Sequence, residues 1–166
     1  MSYAKQWLLA AAAGLSFLSA PVLAQVQVQD AWIRATLPQQ KATGAFMKIQ
    51  AERAVRLVGV GSSALPVVEL HEMRMQDQVM KMRRIDTLDL AAGQTLELKP
   101  GSYHLMLMNL DRALQPGERI PLELQFEDAK GTRSRVQVQA EVRAMTPPAA
   151  PASQGQNHGH GHGHGH

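Results

Sequence analysis

Between Gln25 and Met145 the chain alternates apolar and polar residues in short runs. "VQVQDAWI", "GAFMKIQA", "VRLVGVG", "PVVELHEMRM", "QVMKMRRI", "QTLELKP", "SYHLMLMN", "RIPLELQF" and "RSRVQVQAEV" each have the two-residue period of a half-buried strand. Gly, Pro, Asp and Asn punctuate them, in "AAGQ", "KPGS", "NLDRALQPGE" and "EDAKGT". No long stretch carries a helical period. Strands spaced this way over roughly 120 residues predict an all-β domain, a Greek-key β-sandwich or barrel, large enough to enclose a core.

The flanks follow other patterns. Residues 1–24 have one early cation, Lys5, then the apolar run "WLLAAAAGLSFLSA", then "PVLA" with a small residue at its end. This predicts a secretory signal peptide cleaved after Ala24, with the mature chain starting at Gln25 in the periplasm. The apolar run is shorter than the ~20 residues a spanning helix needs. Gly14, Ser16 and Ser19 interrupt it further, so no stable membrane insertion is expected after cleavage. Residues 146–166 begin with "TPPAAPASQGQN", expected to be a disordered linker, and end in "HGHGHGHGH". The predicted division is therefore a signal peptide (1–24), a β-sandwich domain (25–145) and a linker with a His-Gly tail (146–166).

Composition removes several function classes. The 166 residues carry a formal charge of +3 and no cysteine. Without thiols there is no disulfide scaffold, zinc ribbon, thiol nucleophile or lipid-modified cysteine. The weak, scattered positive charge and the absence of recognition motifs argue against a nucleic-acid partner. No nucleophile–base arrangement or paired carboxylates stand out, so an enzyme is not expected.

The histidines and methionines remain. Of seven histidines, five are in the tail: His158, His160, His162, His164 and His166. The other two, His71 and His104, lie in the strands that also hold six of the nine methionines. Met73, Met75, Met80 and Met82 share "HEMRMQDQVMKM" with His71, and Met106 and Met108 follow His104. A hairpin turning at Gln76-Asp77 would set His71 opposite Met82 and Met73 opposite Met80, with Cβ atoms about 4.5–5.5 Å apart. In the second strand His104, Met106 and Met108 share one face, while Tyr103, Leu105 and Leu107 share the other, expected to be core. The two elements together offer two imidazoles and two thioethers: His71, Met82, His104 and Met106.

Neutral thioether sulfur is a soft ligand and imidazole a borderline one, so this set suits copper and above all Cu(I). Calcium and magnesium want oxygen. Zinc prefers thiolate, imidazole or carboxylate. A blue-copper centre needs a cysteine thiolate, which the chain lacks. Met73 and Met80 would share the ligand face as an outer shell that shields the metal from water. Glu72, Arg74, Lys81 and Arg83 would fall on the opposite face and be solvated, and Trp32 would serve packing. In the tail, imidazoles on a glycine-freed backbone can wrap a cation with several nitrogens, a donor set that favours Cu(II).

With these residues in view, the sequence resembles the PCu(A)C family of periplasmic copper chaperones. The family's mark is a histidine, ten residues, a methionine, twenty-one residues, then His-x-Met. His71, Met82, His104 and Met106 match it at both gaps. "DAWIRAT", "TGAFMKI", "VVELHEM" and "LELKPGSYHLMLM" are similar as well, so the resemblance spans roughly residues 28–140. It implies a cupredoxin-like sandwich that binds Cu(I) near its surface through a His2Met2 site. It also implies delivery to respiratory cytochrome oxidase, at the Cu(A) or haem-copper centre, alongside a Sco-type thiol protein. The alternatives are a periplasmic copper-sequestering or resistance protein, and a structural sandwich whose methionines are core.

Overall fold

The computed structural model describes residues 26–144. The predicted signal peptide and the linker with its His-Gly tail lie outside them. Ten strands account for the described chain: β1 Val26–Arg34, β2 Ala42–Ala51, β3 Val55–Gly61, β4 Val67–Gln76, β5 Val79–Arg84, β6 Leu88–Leu90, β7 Thr95–Leu98, β8 Tyr103–Met108, β9 Arg119–Asp128 and β10 Arg133–Arg143. They join in one sheet ordered β5-β4-β8-β2-β1-β10-β9-β3-β6, with β7 also paired to β2. Every pairing is antiparallel except β1 with β10. This is the predicted all-β class, in a cupredoxin-like arrangement. The alternation does not predict β6, because three residues are too few to show a period, although Leu88 and Leu90 both enter the core.

The sheet folds over its apolar side. Ile33, Ile49, Leu57, Leu105, Leu107, Leu124 and Phe126 are wholly buried in one cluster fed by both halves of the sheet. In β8, Leu105 and Leu107 point into this core and Tyr103 packs against it, as the alternation requires. His104, Met106 and Met108 therefore face outward, away from the core.

A bulge decides what lies beside them. In β1, Asp30 adopts a positive φ of 52°, and the register with β2 shifts between Gln29 and Trp32. One extra residue reverses the side-chain phase of the rest of the strand. Val26 and Val28 pack inward before the bulge and Ile33 packs inward after it. Trp32 is thereby turned onto the outer face, opposite Phe46.

The hairpin β4–β5 departs from the expected register. Its turn is Asp77-Gln78, with φ of 51° and 63°, the paired left-handed conformation of a two-residue hairpin loop. His71 therefore faces Arg84, not Met82, and Met73 faces Met82, not Met80; Met80 faces Met75. The shift is two residues, so every side chain keeps its predicted face and only the rungs change.

Glu72 also departs from expectation. It is 4% exposed. Its side follows Leu70 toward the core, and it ends the buried row where the sheet opens to solvent. Arg74 Nε donates to one carboxylate oxygen at 2.6 Å, and Arg83 donates to the other through Nε and Nη2 at 3.0 and 2.8 Å. Desolvation is the largest influence on this carboxyl and pushes its pKa up. Hydrogen bonds from Arg83, Arg74 and Tyr103 together outweigh it, and the carboxyl lies below its ordinary range. Arg74, Lys81 and Arg83 are exposed, as expected.

Candidate metal centre

Three adjacent strands build the centre on the outer face. β8 pairs with β4 so that His104 lies directly opposite His71 and Met106 opposite Glu69. The two imidazole centroids are 6.0 Å apart and tilted by 47°. Met73, two residues beyond His71, joins His104 and Met106 in lining a cavity of about 190 Å³, which Arg34, Gly44, Phe46, Pro100 and Gly101 complete. Met82 is next to Met73 across the hairpin, one rung further from His104 than expected, and half exposed. His71 and His104 thus face each other, Met73 and Met106 share the cavity with His104, and Met82 lies at the margin. Met80 is further out, at the hairpin tip.

The hydrogen bonds fix which ring nitrogens are free. His104 Nδ1 lies 3.0 Å from the Ser102 carbonyl oxygen. A carbonyl only accepts, so Nδ1 carries the proton and Nε2 keeps its lone pair. His71 Nε2 lies 2.9 Å from Glu69 Oε2. The hydrogen bond to His71 is the largest of the influences that hold the Glu69 carboxyl below its ordinary range, with Arg84 adding to it against desolvation. Ionised, that carboxylate accepts, so His71 Nε2–H donates, and in the neutral ring that binds a metal Nδ1 holds the lone pair. His71 Nδ1 is buried without any hydrogen-bond partner. A buried acceptor left unpaired costs about 1–3 kcal/mol, and a bound cation would satisfy it. Each imidazole thus has one nitrogen held by the protein and the other free, the arrangement typical of metal-ligating histidines.

The donor set is selective by composition. Among the described residues, no three His, Asp or Glu side chains gather into a metal-binding group. The thioethers of Met73 and Met106 are the side-chain donors that line the cavity beside His104, and thioether with imidazole favours a soft cation over a hard one.

Two neighbours escaped the sequence reading. Glu69 bridges His71 and Arg84, whose Nη1 donates to Oε1 at 3.0 Å. Its signal was present, since the i−2 residue of a strand shares the face of His71. Phe46 closes the other side. Trp32, Phe46, His104 and His71 form a row of rings across β1, β2, β8 and β4, with centroid spacings of 4.5, 6.4 and 6.0 Å. The Arg34 guanidinium stands 5.6 Å over Phe46, and that of Arg143 5.7 Å over Trp32. Trp32 is packing, as expected, but on the face of the site and not in the core.

An outward row of imidazoles and thioethers on a ten-stranded cupredoxin-like sheet defines a class, and solved structures share its fold. The copper-bound PCuAC domain from PmoF2 is 24% identical with a TM-score of 0.58, covering 73% of this chain and 94% of that one. The Cu(I) form of DR1885 from Deinococcus radiodurans, solved in solution, is 26% identical with a TM-score of 0.54, covering 76% and 83%. The fold is that of PCuAC domains. The profile of the LpqE-like lipoprotein family matches residues 26–142, and the chain belongs to that family. A relative in Leifsonia xyli subsp. xyli, "Putative lipoprotein Lxx21020", is 34% identical over 114 residues, 68% of each chain. The uncharacterized protein RP573 of Rickettsia prowazekii is 27% identical over 114 residues, 65% of this chain and 63% of its own length. The 166 residues of this chain include no cysteine to accept a lipid. Among the described residues, no helix is long and apolar enough to cross a membrane.

Proposed function

We propose that this protein is a periplasmic copper chaperone that holds Cu(I) between His71, His104, Met106 and Met82, with no catalytic step. The observation that carries the reading is the pair of facing imidazoles, each with a free nitrogen, one of them buried and unpartnered, beside a thioether-lined cavity. All four ligands are neutral, so the site suits a soft monovalent ion. It lies on the outer face, where a partner's thiolates can displace the ligands one at a time. The copper-bound state of a structural neighbour supports the choice of metal. The recipient we infer is respiratory cytochrome oxidase, at its Cu(A) or haem-copper centre, with a Sco-type thiol protein taking part. A signal peptide cleaved after Ala24 would place the mature chain in the periplasm.

The test is an anaerobic Cu(I) titration of the chain from Gln25 against a chromophoric chelator. One tight equivalent is expected; absence of tight binding would leave a structural sandwich as the better reading. A copper-sequestering role is the second reading, favoured by the five tail histidines. Copper transfer to a purified oxidase subunit supports the chaperone. Copper-sensitive growth of a deletion strain with normal oxidase activity supports sequestration.

Glu69→Ala should weaken Cu(I) binding by about 10–100-fold, the usual cost of removing a partner that orients a ligating histidine. It frees His71 Nε2–H and lets the ring turn. Unchanged affinity in the same chelator competition would show that Glu69 does not orient the ligand.

The tail extends this function. Its five histidines are proposed to capture Cu(II) and raise the copper concentration near the domain. Truncation after Asn157 should remove most Cu(II) equivalents while leaving the Cu(I) site intact. Imidazole must be neutral to bind, so tail binding should weaken below about pH 5.5, a unit under the reference value of about 6.5. Unchanged Cu(II) stoichiometry in the truncated chain, measured by calorimetry, removes the tail from the mechanism.

A further inference from the structure

The inner centre does not explain the end of the hairpin. All six residues of β5 are exposed. Met75 is 66% exposed, Met82 50% and Met80 43%. None of them supports a core. Strand propensity does not account for them either, since outward strand positions favour β-branched and aromatic residues over methionine. What the four hairpin methionines share is sulfur.

The observed register stacks that sulfur in two rungs. Met75 faces Met80, and Met73 faces Met82. Opposite Cβ atoms stand about 4.5–5.5 Å apart, and the rungs are about 7 Å apart along the strands. An unbranched thioether with three rotatable bonds can close either gap. Met73 also lines the inner cavity with His104 and Met106, so the ladder runs unbroken from the exposed tip to the inner centre. Arg84 shares the methionine face, where it pairs with Glu69, while the hairpin's other cations, Arg74, Lys81 and Arg83, point to the opposite face. Their field disfavours a divalent ion more than a monovalent one.

We propose that the hairpin tip is a second, outer site for a soft monovalent ion, Cu(I), with Met75 and Met80 as its ligands and Met73 and Met82 as the step toward the inner centre. Binding at the tip stands on the thioethers alone; only the direction of travel rests on the inner centre being a copper site. Thioethers carry no proton at any relevant pH, so the tip should bind equally well under acid conditions that disable imidazole.

The test uses the full chain with methyl-labelled methionine, titrated anaerobically with Cu(I) and followed by NMR at about pH 7 and about pH 5, on either side of the imidazole reference value. At the higher pH, Met106 should shift first and Met75 and Met80 with later additions. At the lower pH, Met75 and Met80 should still shift. Met75→Leu/Met80→Leu should lose the acid-resistant equivalent and keep the first neutral one; both positions are exposed, so the fold is not at stake. If the Met75 and Met80 methyls stay still at both pH values under excess Cu(I), the outer site does not exist. If they shift while Met106 does not, the outer site stands and the inner centre fails.

Discussion

The His104→Ala/Met106→Ala variant is expected to keep its fold and lose tight Cu(I) binding. Loss of one partner that merely orients a ligand costs about 10–100-fold, so removing an imidazole and a thioether from four donors should cost more than that. Both side chains point away from the core, while Leu105 and Leu107 between and beside them remain in it. The substitution breaks one hydrogen bond, from His104 Nδ1 to the Ser102 carbonyl, which is worth about 1 kcal/mol. His104 is also a buried ring, 5% exposed, packed between Phe46 and His71, so circular dichroism of the apo form should change little while its unfolding temperature falls. Chelator competition should show the single tight equivalent gone. Equal Cu(I) affinity in variant and parent would move the metal to the tail or to the hairpin methionines and overturn the assignment of His104 and Met106.

The outward placement of His104 and Met106 is legible because alternation in β8 separates them from Leu105 and Leu107 without any knowledge of the third dimension. The same alternation placed His71 and all four hairpin methionines on one face. Which rung each occupies was not legible. A slip of two residues preserves every face, so hydrophobic pattern cannot choose between registers. The choice was made by Asp77 and Gln78, which take up left-handed backbone conformations without a glycine to announce them. Glu72 shows a related limit. Alternation gives its face and suggests a solvated carboxylate, although Leu70 two residues earlier marks that side as core. Two arginines, one of them across the hairpin, make its burial tolerable. The row from Trp32 to His104 depends on the bulge at Asp30, and a bulge leaves no periodic signal of its own.

Gly44→Val is expected to destabilise the apo protein and weaken its metal site, although no ligand is touched. Gly44 is mid-strand in β2, opposite Met106. Strand propensity alone predicts the reverse sign, since valine suits a strand and glycine weakens one. Packing decides otherwise. A Cβ added at Gly44 would lie 2.7 Å from Phe46 Cζ and 3.3 Å from Cε2. The tip of the ring reaches over the glycine, and its retreat is limited. Trp32 flanks it at 4.5 Å, His104 at 6.4 Å, and the Arg34 guanidinium stands over it. Valine must expel the ring or bend the strand, at about 1–3 kcal/mol, the usual cost of overpacking. Either movement opens the cavity wall beside His104 and Met106. The melting temperature should fall, and Cu(I) affinity should fall with it. A second change, Phe46→Leu, removes the clash, so Gly44→Val/Phe46→Leu should be more stable than the sum of the two single effects predicts. If Gly44→Val instead raises the melting temperature, propensity outweighs the contact, and Phe46 is a passive cover rather than a wall held in place by the glycine beneath it.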